Sequence, residues 1–117
     1  MDKAKQVLVV EDDPALRRLI ALLLEDEGYA VLAAGTGEQA LAIAHSLHPD
    51  TVVLDLGLPD IDGREVASRM RDDGVDAEVI VLSARSDGRQ CAREIGARSF
   101  IGKPFEPGDL TRSVARA

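Results

Sequence analysis

The sequence contains no tryptophan, and its aromatic rings are only Tyr29, Phe100 and Phe105, so any core must be built from aliphatic side chains. A single cysteine, Cys91, excludes an internal disulfide framework and fits a reducing compartment. Cys91 itself reads as a small buried apolar group. The longest apolar run, Leu19 to Leu24, falls far below the roughly 18 residues of a membrane-spanning helix. Met1-Asp2-Lys3-Ala4-Lys5 runs straight into a strand pattern, with no hydrophobic region of an export signal. These absences lead to an expected cytoplasmic location without membrane attachment. Basic residues are the minority, 14 against 21 acidic for a net charge of −7, which argues against direct nucleic-acid binding by this segment.

What is present suits one domain filling residues 1–117, large enough for a single sheet covered by helices. Apolar residues make up 45% and charged residues 30%, a balance that folds rather than stays disordered.

Read in order, the chain alternates between two patterns. Gln6–Val10, Thr51–Leu54 and Glu78–Leu82 are short apolar runs of the kind buried on both sheet faces. Tyr29–Ala34 and Ser99–Gly102 are two further short strands. Asp13 caps a first helix opened by Pro14, with Leu16, Leu19, Ile20, Leu23 and Leu24 on its inner face and Gly28 at its end. Thr36-Gly37-Glu38-Gln39 resembles a capping box for a second helix, through Leu47 and stopped by Pro49. A third helix covers about Gly63 to Asp72, with Val66, Ala67 and Met70 inward. A fourth, capped by Asp87, runs through Ile95 to Gly96, and Pro107 opens a fifth. Five strands alternating with five helices predict an α/β fold with a parallel sheet and right-handed crossovers.

In a parallel sheet the carboxyl ends of the strands share one edge, where ligands bind. Glu11 and Asp12, Asp55, Ser83 and Lys103 all fall at such ends. Carboxylates gathered there repel one another, and partial burial pushes each toward its neutral form. A hard divalent cation relieves this, and Mg²⁺ takes carboxylate, water and phosphate oxygens. Lys103 supplies an ammonium suited to a phosphoryl oxygen, and Ser83 a hydroxyl. The Leu56 and Ala84 amides are candidates to complete an oxyanion cradle. Since a carboxylate can attack phosphorus, these parts together predict phosphoryl transfer to Asp55.

The ordered set Val9-Val10-Glu11-Asp12, Asp55-x-x-x-Pro59-x-x-x-Gly63, Leu82-Ser83-Ala84 and Phe100-x-x-Lys103-Pro104-Phe105 resembles the response-regulator receiver domain of two-component signalling along essentially the whole chain. The resemblance implies a doubly wound, flavodoxin-like sheet of strand order 2-1-3-4-5. It implies that Asp55 accepts a phosphoryl group from a histidine kinase or histidine phosphotransfer protein. It further implies direct Mg²⁺ ligation by Asp12, Asp55 and the Gly57 carbonyl, with Glu11 acting through water. Lys103 would pair with the acidic cluster and then the phosphoryl group, and Lys103-Pro104 would be a cis peptide. Ser83 and Phe100 correspond to the switch pair that reports to the face of the fourth helix, fifth strand and fifth helix, where a partner or a second copy of the chain would dock. The segment between Ser83 and Lys103 is slightly shorter than the family's, which predicts a trimmed fourth helix or preceding loop. Gly57 and Arg85 occupy positions that tune phosphoryl lifetime in the family.

Two other classes compete. A pseudo-receiver, a pure interaction module, would not need Asp12, Asp55, Ser83 and Lys103 together. A small Mg²⁺-dependent phosphohydrolase with an aspartyl nucleophile would need a second carboxylate two residues on, where Gly57 stands. Blander roles suffice for Asp60 and Asp62, as turn residues, and for His45 and His48, whose imidazoles suit a helix C-terminus.

Overall fold

The computed structural model describes residues 4–117; Met1, Asp2 and Lys3, the lead-in of the first strand pattern, lie outside the described residues. The elements in order are β1 (Gln6–Val10), α1 (Pro14–Asp26), β2 (Ala30–Ala34), α2 (Gly37–Leu47), β3 (Thr51–Leu54), α3 (Gly63–Asp72), β4 (Glu78–Ser83), α4 (Gly88–Glu94), β5 (Ser99–Gly102) and α5 (Pro107–Arg116). All pairings are parallel and the sheet order is β2-β1-β3-β4-β5.

Alternate side chains of the central strands feed two cores. Leu8, Val10, Val52 and Leu54 pack with Ala40, Ala44, Val66 and Met70 beneath α2 and α3. Val7, Val9 and Val53 pack with Ile20, Leu24, Leu110 and Val114 beneath α1 and α5. Both faces being covered, the strands can be apolar throughout, and fully burying each Val or Leu contributes about 1.5–3 kcal/mol.

The helix ends follow local chemistry. Asp13 accepts from the Ala15 and Leu16 amides, and Gly28 closes α1 at φ 96°. His48 ends α2 in the left-handed region at φ 46°, before Pro49. The Lys103–Pro104 peptide is cis, as the resemblance implies.

Three expectations need correction. Leu19 is not on the inner face of α1: it is 48% exposed. At about 100° per residue it lies about 120° from the Ile20/Leu24 centre, beyond the buried stripe. The capping box of α2 is only half formed. Thr36 accepts from the Gln39 amide at 3.1 Å, but the Gln39 side chain accepts from Gly35, at 2.9 Å, rather than from Thr36. Asp87 stands at the N-cap position of α4 without a side-chain capping bond. Its carboxylate is held by Arg85 instead. With seven residues, α4 is the shortest helix among the described residues.

Candidate functional site

The register of the sheet assembles the site. Val10 pairs with Leu54, Leu54 with Val81, and Ser83 with Gly102, so Glu11, Asp55, Ser83 and Lys103 leave neighbouring strands at one edge. The Asp55 amide donates to the Val10 carbonyl at 3.0 Å, and the Lys103 amide to the Ser83 carbonyl at 3.0 Å, which ties those exits together.

Glu11, Asp12 and Asp55 each bring a carboxylate oxygen within 4.8 Å of the others. Glu11 and Asp55 are buried and Asp12 is exposed at the mouth. Lys103 Nζ lies 2.5 Å from Glu11 Oε1 and 3.4 Å from Asp55 Oδ2. The other oxygen of Glu11 accepts from the Asp13 amide at 3.1 Å, and Asp55 Oδ1 from the Gly57 amide at 3.3 Å.

Burial pushes the Glu11 carboxyl above its usual range, and repulsion from Asp55 adds to this, although the Lys103 and Asp13 hydrogen bonds pull the other way. Burial alone would lower the Lys103 ammonium, but its contacts with Glu11 and Asp55 outweigh that and raise it. One ammonium facing three carboxylates leaves two in excess. Two carboxylates about 4 Å apart repel by about 4 kcal/mol at an effective dielectric constant of about 20. An all-oxygen donor set with excess negative charge and one exposed member therefore fits a hard divalent cation.

Ser83 is buried, and its Oγ accepts from the Arg85 amide at 3.1 Å. Phe100 does not reach the acidic group. It is half-buried against α4: a Cβ built on Gly88 would lie 2.6 Å from its Cε1 atom and 3.5 Å from Ser83 Cβ. The Arg89 guanidinium stands 5.0 Å from its ring centre. Cys91 is buried beside Leu56 and Val81, and His45 and His48 lie at the opposite end of the fold.

Sequence reasoning missed the supporting roles of three residues. Arg17 Nη1 donates to the Glu11 carbonyl at 2.9 Å and holds the loop that presents the acids. Gly63 lets the chain after β3 fold back, since a Cβ there would sit 2.7 Å from the Asp55 carbonyl oxygen. Asp60, read as a turn residue, accepts from the Gly37 and Glu38 amides at 2.8 and 2.9 Å and so caps α2 from another loop. Gly63 is visible in the sequence both as a helix start and as the end of the Asp55-x-x-x-Pro59-x-x-x-Gly63 set, and Asp60 as a turn residue, but these contacts, like that of Arg17, depend on packing.

The family model of the response regulator receiver domain matches residues 7–115. The transcriptional regulatory protein PmrA of Pectobacterium parmentieri is 40% identical over 111 residues, 93% of this chain and 50% of that protein. The DNA-binding response regulator MtrA of Mycolicibacterium smegmatis is 38% identical over 118 residues, 97% of this chain and 51% of that protein. The chain thus spans about half the length of the curated relatives it matches. Among solved structures, response regulator TrrA from Thermotoga maritima superposes with a TM-score of 0.87 at 37% identity, covering 96% of this chain and 97% of that one. A CheY-like receiver domain from Methanospirillum hungatei reaches a TM-score of 0.90 at 27% identity, covering 97% and 93%. The chain belongs to the response regulator receiver domain family, a signalling module of two-component systems.

Proposed function

We propose that Asp55 is the phosphoryl acceptor of this receiver domain, which residues 1–117 make up on their own. The observation that carries this reading is the lysine bridge: Lys103 Nζ contacts Glu11 and Asp55 together, with Asp12 open at the mouth. A carboxylate oxygen of Asp55 attacks the phosphorus of a phosphohistidine on a histidine kinase or phosphotransfer protein. The new O–P bond forms as the P–N bond breaks, and the histidine leaves with a proton. Lys103 moves from the Asp55 carboxylate to a phosphoryl oxygen while keeping Glu11, and Ser83 donates its hydroxyl to another. Glu11, Asp12, Asp55 and the Gly57 carbonyl would hold Mg²⁺, which when bound offsets the charge of carboxylates and phosphoryl group. TrrA, a similar protein, is described in complex with Mg²⁺-BeF. The domain acts as a catalyst only in its own phosphorylation and dephosphorylation.

The signal leaves through Ser83 and Phe100 to the face of α4, β5 and α5, where a partner or a second copy docks. Among the described residues no helix is long and apolar enough to cross a membrane, and a cytoplasmic site of action follows from the kinase partner. A net charge of −7 argues against direct DNA binding by this segment; MtrA, of which the chain spans about half, is named a DNA-binding response regulator.

Incubation with acetyl phosphate and Mg²⁺ tests the reading. One base-labile phosphoryl group is expected, lost in Asp55→Ala. A full-yield adduct on Asp55→Ala, or one mapped to His45 or His48, overturns it.

A further inference from the structure

Outside the acidic pocket, one guanidinium joins two loops. Arg85 Nε and Nη2 donate to the two oxygens of Asp87, each at 3.0 Å, and Nη1 donates to Asp62 Oδ2 at 3.2 Å. Asp62 is itself anchored, because its other oxygen caps α3 through the Arg64 amide at 2.9 Å. The arginine fork therefore clasps the loop after β4 to the first turn of α3. These hydrogen bonds from Arg85 also hold the Asp87 carboxyl below its usual range.

The backbone of the same arginine holds the hydroxyl of Ser83, through the 3.1 Å bond from its amide to Oγ. With the side chain tied at both ends, that amide cannot follow Ser83 without disturbing two carboxylates. Among the described residues the Ser83 hydroxyl makes no hydrogen bond to Asp55, so engaging a phosphoryl group there, one strand over, would draw the hydroxyl away from the Arg85 amide. Side chains of 35% to 46% exposure make each ion pair weak, so the clasp biases the hydroxyl rather than locks it.

We propose that Arg85 is a positioning residue: its clasp on Asp62 and Asp87 keeps the Ser83 hydroxyl on the β4–α4 loop and opposes its engagement by the phosphoryl group. This rests on the reading of Asp55 as phosphoryl acceptor. Breaking the clasp should shift the equilibrium toward the phosphoryl-engaged arrangement, since a ligand gains whatever bias is removed.

The experiment titrates beryllofluoride with Mg²⁺ into the full chain and its variants. Arg85→Ala and Asp87→Asn should bind about two- to tenfold more tightly than the parent, the range that two exposed ion pairs can carry. In a Ser83→Ala background the gain should vanish, a non-additivity that a merely structural arginine does not produce. Unchanged or weaker binding in both variants overturns the clasp, as does a gain that persists without Ser83. In metal-free protein, Arg85→Ala should also move the amide and Cβ resonances of Ser83. Still resonances there overturn the clasp whatever the ligand does, whereas a parent chain that binds no beryllofluoride overturns the acceptor reading alone.

Discussion

Lys103, 92 positions after Glu11 in the chain, donates a 2.5 Å hydrogen bond to its buried carboxylate. Lys103→Met keeps much of the side-chain volume and leaves that carboxylate without its cation. Unfolding in urea without metal should show a loss of about 1–3 kcal/mol, the cost of a buried group left unsatisfied. Added Mg²⁺ should restore part of it.

The same pair sets a pH dependence. Lys103 is raised above its ordinary 10.5, so its contribution is whole below that value and is lost as pH rises through the folded value. Glu11 is raised above 4.5, so its contribution is present below that value and lost as pH rises through the raised one. Metal-free protein should therefore gain from mild acid relative to Glu11→Gln, which lacks the titration. Thermal melts across the acid range check this.

Two glycines near Asp55 should respond unequally to alanine. A Cβ on Gly63 would lie 2.7 Å from both the Asp55 carbonyl oxygen and Leu56 Cα, backbone atoms that cannot swing away. Gly63→Ala should cost about 1–3 kcal/mol. A Cβ on Gly57 meets nothing within 4 Å. Gly57→Ala should stay within about 0.5 kcal/mol of the parent and keep its Mg²⁺ affinity, because the carbonyl remains. Chemical unfolding and a metal titration measure both.

Gly88 makes room for the Phe100 ring, whose Cε1 would sit 2.6 Å from an added Cβ. Phe100 is half-buried and the atom in the way is at the far end of its side chain, so Gly88→Ala should displace the ring rather than unfold α4. Because Gly88 is the first residue of α4, the helix-propensity gain stays below the roughly 1 kcal/mol of a helix interior. It does not fully offset the lost ring packing, so stability should fall slightly. Aromatic NMR shifts should show Phe100 more exposed and away from Arg89.

Asp60 caps α2 across loops, and the Glu38 and Gly37 amides hold its carboxyl below the ordinary 3.8. Its contribution is present above that value and disappears as pH falls through the depressed one. Asp60→Asn should melt earlier than the parent at neutral pH, with the gap closing in strong acid. A gap independent of pH would contradict the charge-based cap.

Element order and the gathering of Glu11, Asp12, Asp55, Ser83 and Lys103 were legible without coordinates. Buried parallel strands announce themselves as apolar runs, caps and breakers act within a few residues, and parallel pairing sends every carboxyl end to one edge. Those are local rules, and the chain order completes them. The tertiary structure decided what depends on the angle and depth at which elements pack. It put Leu19 at the surface, because α1 turns Ile20 and Leu24 to the sheet. It paired Lys103 with buried Glu11 and left Asp12 open. It also brought Asp60 to the first turn of α2, 23 residues back, and Arg85 to Asp62 in the loop before α3. No sequence period encodes such contacts, since their partners are chosen by the fold that brings distant loops within a hydrogen bond's reach.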